Sequence, residues 1–309
     1  MEKLTVVITG PTASGKTLLS IKLAQTLESE IISADSRQVF KFLSIGTAKP
    51  GINETKGIKH YFIDELNPDE NFNASIFEIQ ALKIIEDMLH RGKTPIVVGG
   101  SGLYISALVN GIFDVANADE KLRQKYLAIK AEKGIEFLYD ELKIKDHESA
   151  QKMLPQNWKR VMRALEVLEI TGRPIWQAQN EYKRHTDIKF LQYGLNWERE
   201  VLYNRINKRV DLMIEQGLVE ETRKALSLGY DKNLNALNTV GYKEIIAYLE
   251  GSISLDEAIE LIKRNSRRFA KRQMTWFRRD ERIKWFNITQ PDDIEKAAEI
   301  ILKQVKENS

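Results

Sequence analysis

The sequence predicts an α/β fold: a P-loop NTPase-like parallel sheet core flanked by helices, with an all-helical domain inserted in it. Three observations carry this. An apolar run, Leu4 to Thr9, leads into Gly10-Pro-Thr-Ala-Ser-Gly15-Lys16-Thr17 and then an amphipathic stretch to Glu28. Short apolar segments then alternate with helical periodicity through the first third of the chain. From about Asn117 to Lys183 the strand signals stop and only helical spacing remains.

Taken in order, Leu4–Thr9 reads as a buried strand, Lys16–Glu28 as a helix and Glu30–Ser33 as a short strand. Tyr61–Leu66 reads as a strand, Ala74–His90 as a helix, and Pro95–Gly99 as a parallel strand ending in Gly99-Gly100 before another helix. Within the insertion, Asp119–Lys133 and Trp158–Thr171 are helical, the second stopped by Gly172 with Pro174 beyond. Leu191–Asn196 then returns as a strand. Glu198–Gln216, Leu218–Leu228, Gly241–Glu250 and Leu255–Arg279 are helices, Ile283–Ile288 is a last strand, and Asp292–Lys306 is a last helix. This gives a core of residues 1–116 and 190–309 and a helical insertion of 117–189.

Composition bounds the chemistry. The 309 residues include no cysteine, which excludes disulfides, a cysteine nucleophile and thiolate metal sites. His60, His90, His147 and His185 lack ligand spacing, so zinc is not expected. No secretory leader or membrane-length apolar stretch is evident, and the expectation is a cytoplasmic monomer. The net charge of +3 says little, but Lys263 to Lys284 is densely cationic with Phe269, Trp276, Phe277 and Trp285 interleaved. A solvated helix face and a nucleic-acid surface both fit that run.

The strongest motif is the loop itself. In G-x-x-x-x-G-K-[ST] the glycines let backbone N–H groups converge on phosphate oxygens, and the following helix N-terminus adds partial positive charge. Thr12, Ala13, Ser14, Gly15, Lys16 and Thr17 are therefore the diphosphate-binding candidates, with Thr17 placed to ligate Mg²⁺. ATP is the default ligand of such a loop. However, Ile96-Val-Val-Gly99-Gly100-Ser101 carries glycines where a hydrolytic NTPase places a strand-end acid. The nearest strand-end acid is Asp35, which an open sheet places across the crevice from the loop. An isolated Asp-Ser is an ordinary turn; at this position it is also a candidate general base or metal ligand.

These segments resemble one family, the tRNA dimethylallyltransferases (tRNA isopentenyltransferases). The matching stretches are Gly10–Thr17, Asp35-Ser36-x-Gln38, Ile45-Gly-Thr-Ala-Lys-Pro50, Val97–Tyr104, Arg163–Val167, Val240–Glu244 and Ala270–Arg278, in order along nearly the whole chain. The P-loop is shared widely; Ile45–Pro50 with Lys271-Arg-Gln273 is more specific. The resemblance implies transfer of a dimethylallyl group from its diphosphate to N6 of the adenosine at position 37 in tRNAs reading UNN codons, with diphosphate as leaving group.

It also implies roles. Asp35 is the general base and Ser101 its catalytic neighbour; Ser36, Arg37 and Gln38, with Asp35 and Ser101, hold the flipped adenosine. Arg209 reaches the diphosphate from the opposite wall. Arg123, Lys159, Arg160 and Arg163 of the insertion, and Val240, Gly241, Tyr242, Lys243, Lys271, Arg272 and Gln273 of the core, bind the anticodon stem-loop. Ser101 stands where the family usually has Thr, Phe40 where Tyr is common, and His60-Tyr61 where a His-His pair is common. Two other readings stay open on residues alone: a small-molecule ATP kinase, and a P-loop ATPase that remodels RNA.

Overall fold

A computed structural model describes residues 3–113, 120–182, 184 and 186–308. Its elements are β1 (Leu4–Thr9), α1 (Lys16–Thr26), β2 (Ile31–Ser33), α2 (Ile52–Thr55), β3 (His60–Tyr61), α3 (Ala74–His90), β4 (Ile96–Gly99), α4 (Gly102–Asn110), α5 (Glu120–Lys145), α6 (His147–Gln151), α7 (Trp158–Thr171), α8 (Ile175–Glu181), β5 (Lys189–Trp197), α9 (Arg199–Glu215), α10 (Leu218–Ser227), α11 (Tyr242–Leu249), α12 (Leu255–Phe277), β6 (Lys284–Ile288) and α13 (Asp292–Glu307).

The six strands form one sheet in the order β3-β2-β4-β1-β5-β6, and every pairing is parallel. β1 lies inside, flanked by β4 and β5, and all six of its residues are buried; this is why it reads as an unbroken apolar run. The expected strand Tyr61–Leu66 is shortened to His60–Tyr61. Phe62 and Asp64 take positive φ values of 63° and 55°, which a strand cannot accommodate, and only an isolated bridge from Phe40 to Leu66 remains.

The chain divides into two compact units, residues 1–109 with 186–309, and residues 110–185. The sequence reading puts the helical insertion at 117–189. Asn117 and Asp119, the expected starts of the insertion and of its first helix, and His185 lie outside the described residues. The second unit has its own core, in which Leu138, Leu142, Val161, Ala164 and Val167 are fully buried. Its first helix runs on to Lys145, past the expected end at Lys133, but is broken at Gly134, where φ is 87° and ψ is 177°. Among the described residues no helix is long and apolar enough to cross a membrane.

At the entry to β2, buried Glu30 accepts from Arg91 Nη1 (2.6 Å), Lys93 Nζ (2.6 Å) and Tyr61 Oη (2.7 Å). The Arg91 guanidinium foremost holds this carboxyl well below the usual range. Its stabilisation is therefore present above the pKa of an unfolded carboxyl and is lost as pH falls below it. Replacing Glu30 by Gln leaves Lys93 without this counter-charge and Arg91 with Asp87 alone, and we expect a loss of about 2 kcal/mol at pH 7 in urea unfolding, a gap that narrows below about pH 4. Equal stability of the two proteins at pH 7 contradicts this.

Candidate active site

The first unit contains a cleft of about 240 Å³ at the carboxyl ends of β1, β2 and β4, whose lining includes Lys16, Asp35, Gln38, Ser101 and Arg209. The P-loop crosses one side. Gly10, Ala13 and Gly15 have φ values of 143°, 62° and 93°. Two carbonyls of the loop are held by donors from the end of β5 and from α9: Ser14 O accepts from Trp197 Nε1 at 2.8 Å, and Ala13 O accepts from Arg205 Nε at 2.9 Å. Arg205 stacks over the Trp197 ring, 4.3 Å from its centroid. With these carbonyls engaged, and the Thr12 N–H given to Gln273 Oε1, the remaining N–H groups of the loop can turn to an anion.

Lys16 Nζ donates to Pro11 O at 2.6 Å. Desolvation, and then the nearby Arg209 charge, push its pKa down to about 7, while Asp35 acts the other way. Arg209, half-buried on α9, is likewise lowered by desolvation and supported by Asp35 and Glu54. Its guanidinium makes two long contacts of 3.5 Å, to Thr12 Oγ1 and Ala48 O. Two desolvated cations facing one cleft without a strong anionic partner are arranged as an anion would require. Thr17 is the second residue of α1 and is exposed at the cleft.

Asp35 follows β2. Its Oδ1 accepts from the N–H groups of Arg37 (2.9 Å) and Gln38 (3.4 Å), which fixes the carboxylate. Ser101 Oγ accepts from Ser36 N at 3.0 Å, and Ser101 N donates to Ala34 O at 3.2 Å. The two strand ends can meet because Gly99 has no side chain: a Cβ there would lie 2.1 Å from Ala34 O. The glycine that stands in place of a hydrolytic acid is thus what brings Ser101 beside Asp35.

Gln38 is held by its neighbours. Its Nε2 donates to Thr47 O (3.3 Å) and Ala48 O (3.1 Å), and its Oε1 accepts from Ser33 Oγ (3.1 Å). Arg37 Nη2 donates to Asn235 Oδ1 at 3.1 Å.

Thus Thr12, Lys16, Thr17, Asp35 to Gln38, Ser101 and Arg209 line one cleft, whereas Ala13, Ser14 and Gly15 are not in its lining. The positions read as RNA contacts are spread more widely. Lys243, Lys271 and Arg272 are exposed, and Val240 and Gly241 reach the cleft lining. Gln273 is buried: its Oε1 accepts from Thr12 N (2.9 Å) and its Nε2 donates to Gly100 O (2.9 Å), so it ties the P-loop to the end of β4. Tyr242 is also buried, and its hydroxyl donates to Glu221 Oε1 at 2.6 Å. Arg123, Lys159, Arg160 and Arg163 belong to the second unit. There Lys159 and Arg160 are exposed, while Arg123 and Arg163 approach buried Glu166 at 3.8 and 3.6 Å.

Residues 38–280 match the model of the IPP transferase family. The chain belongs to the IPP transferase family. It is 49% identical to a tRNA dimethylallyltransferase of Acetivibrio thermocellus over 303 residues, covering 97% of this chain and 96% of the relative. Among solved structures, the full-length tRNA isopentenylpyrophosphate transferase of Bacillus halodurans matches with a TM-score of 0.73 at 39% identity, over 99% of this chain and 98% of that one. A eukaryotic dimethylallyltransferase acting on tRNA matches with a TM-score of 0.86 at 30% identity, over 99% of this chain and 80% of its own. Both neighbours share the parallel-sheet architecture expected from the sequence.

Within this IPP transferase, Trp197, Arg205 and Glu221 are absent from the site as read from sequence. Arg205 was detectable, since it lies one helical turn before Arg209 on the same face of α9. Trp197 and Glu221 carry no local signal.

Proposed function

We propose that this prenyltransferase moves a dimethylallyl group from dimethylallyl diphosphate to N6 of the adenosine at position 37 in tRNAs that read UNN codons, yielding N6-(dimethylallyl)adenosine and diphosphate. One observation carries the reading of the site: the desolvated cations Lys16 and Arg209 and the fixed carboxylate of Asp35 share a single cleft. An anion site beside a base suits displacement of diphosphate by a neutral amine. The N6–carbon bond forms as the carbon–oxygen bond breaks, the electron pair leaves with the diphosphate, and the amine proton passes to Asp35.

The P-loop amides, Lys16 and Arg209 bind the leaving group, and Ser101 and Gln38 border the acceptor. Mg²⁺ fits the donor set, because it favours a hydroxyl, substrate phosphate oxygens and water over a cage of protein ligands. Thr17 would hold it, and when bound it would neutralise diphosphate charge. Among the described residues no cluster of three or more His, Cys, Asp or Glu forms a separate metal site.

Exposed Lys271 and Arg272, with Phe269 5.8 Å from the Arg272 guanidinium, offer charge and an aromatic face to RNA. Lys243 and the second unit's Arg123, Lys159, Arg160 and Arg163 supply further cations for the anticodon stem-loop. The protein is read as a cytoplasmic monomer. The direct test incubates it with unmodified tRNA, Mg²⁺ and radiolabelled dimethylallyl diphosphate, followed by nucleoside analysis. Label confined to adenosine 37 is expected. Label elsewhere, or none with folded protein, sinks the reading.

A further inference from the structure

The segment Ile45-Gly-Thr-Ala-Lys-Pro50 is specific in sequence yet supplies no side chain to the chemistry described above. Its backbone does. Thr47 O and Ala48 O accept from Gln38, and Ala48 O also meets Arg209, so this loop contacts one side chain on the acceptor side of the cleft and one on the diphosphate side. The loop conformation is not one the chain adopts freely. Phe42 and Ala48, neither of them glycine, have φ values of 66° and 50°. Such backbone persists only where surrounding contacts determine it.

The determining contact comes from α10. The Glu221 carboxylate accepts from three successive N–H groups: Ser44 at 2.8 Å, Ile45 at 2.8 Å and Gly46 at 3.1 Å. Tyr242 Oη completes the shell at 2.6 Å. Its ring packs so closely that a Cβ on Gly46 would lie 2.5 Å from Cζ. Three convergent amides form a nest of the kind that binds free anions. Here the nest is filled from within, so it is not a second site for substrate phosphate. It is a lock between the loop and α10.

We propose that Glu221 is a positioning residue for the transfer reaction. Through the carbonyls of Thr47 and Ala48, it sets where the side chains of Gln38 and Arg209 stand relative to Asp35 and the P-loop. This rests on the function proposed above. Glu221→Gln keeps the volume but replaces one acceptor oxygen with an NH₂ group that faces N–H donors, so the nest opens. Tyr242→Phe keeps the ring on Gly46 and removes one bond to the carboxylate.

The test combines hydrogen exchange of residues 44–46 with single-turnover transfer at saturating tRNA and prenyl donor, using the full chain. For Glu221→Gln we expect exchange at residues 44–46 to rise about 10-fold. We expect the single-turnover rate to fall about 10- to 100-fold, with the tRNA dissociation constant changed less than about twofold. Tyr242→Phe should shift exchange and rate in the same directions by smaller factors, which covers the case in which Glu221→Gln does not fold. Faster exchange with an unchanged rate makes Glu221 a structural brace only and overturns the proposal, as does unchanged exchange. Absence of transfer by the wild-type protein, run alongside, would instead strike the proposed function.

Discussion

Asp35→Asn is expected to lower prenyl transfer by about three orders of magnitude, the middle of the range for loss of a positioned base. The variant is chosen for what it preserves. The amide oxygen of the introduced asparagine still accepts from the N–H groups of Arg37 and Gln38, so the turn that aims the side chain survives. The charge and the capacity to take the amine proton do not. Affinity for tRNA should change little, because the contacts assigned to RNA phosphates lie elsewhere. Single-turnover transfer and filter binding on the same preparation separate the effects: a rate near wild type removes Asp35 from the role of base, and a parallel loss of tRNA affinity makes it a binding residue.

Lys16→Ala should weaken dimethylallyl diphosphate binding about 30- to 100-fold at pH 7, the loss of a charge-assisted contact in a desolvated site. The wild-type protein should also show a pH signature. Desolvation and the Arg209 charge push the Lys16 ammonium from its ordinary 10.5 to about 7 in the donor-free protein. A bound diphosphate restores the cation, so binding takes up a proton above about pH 7, and affinity declines as pH rises from there. The same shift means that the unfolded chain holds this proton more tightly than the donor-free fold. Lys16 therefore costs stability at neutral pH, and this cost fades as pH rises towards 10.5. Titration calorimetry at pH 8 in two buffers of different ionisation enthalpy reads the proton uptake directly. It should be present in the wild type and absent in Lys16→Ala; equal uptake in both assigns the proton to another group.

How much of this could be read from the sequence depended on whether the information was contiguous. The P-loop, β1 and β4 are each continuous runs whose apolar or glycine pattern fixes their conformation locally, and the sequence reading found all three. Asp35 was found because strand ends in a parallel sheet face the crevice, a rule of topology that needs only the strand boundary. Gly99 marks the place of a missing acid in the sequence; the structure adds that it permits the close approach of Ala34 O. Gln273 and Tyr242 were grouped with the RNA contacts, as part of basic or motif-rich segments. Their side chains are buried in long-range hydrogen bonds, one to the P-loop and one to α10. Such pairings join residues up to 261 positions apart, and no periodicity encodes them. The strand expected through Leu66 stops at Tyr61, because Phe62 and Asp64 have positive φ, which no glycine or asparagine announces in the sequence.

The central claim is that the P-loop of this chain holds a leaving group and transfers no phosphoryl group. The most direct measurement uses dimethylallyl diphosphate carrying ¹⁴C in the allyl group and ³²P in both phosphates, with unmodified tRNA. The account predicts ¹⁴C on the tRNA, no ³²P on it, and one intact diphosphate released for each allyl group transferred. Phosphorus-32 appearing on the tRNA, or turnover that requires ATP, would contradict it.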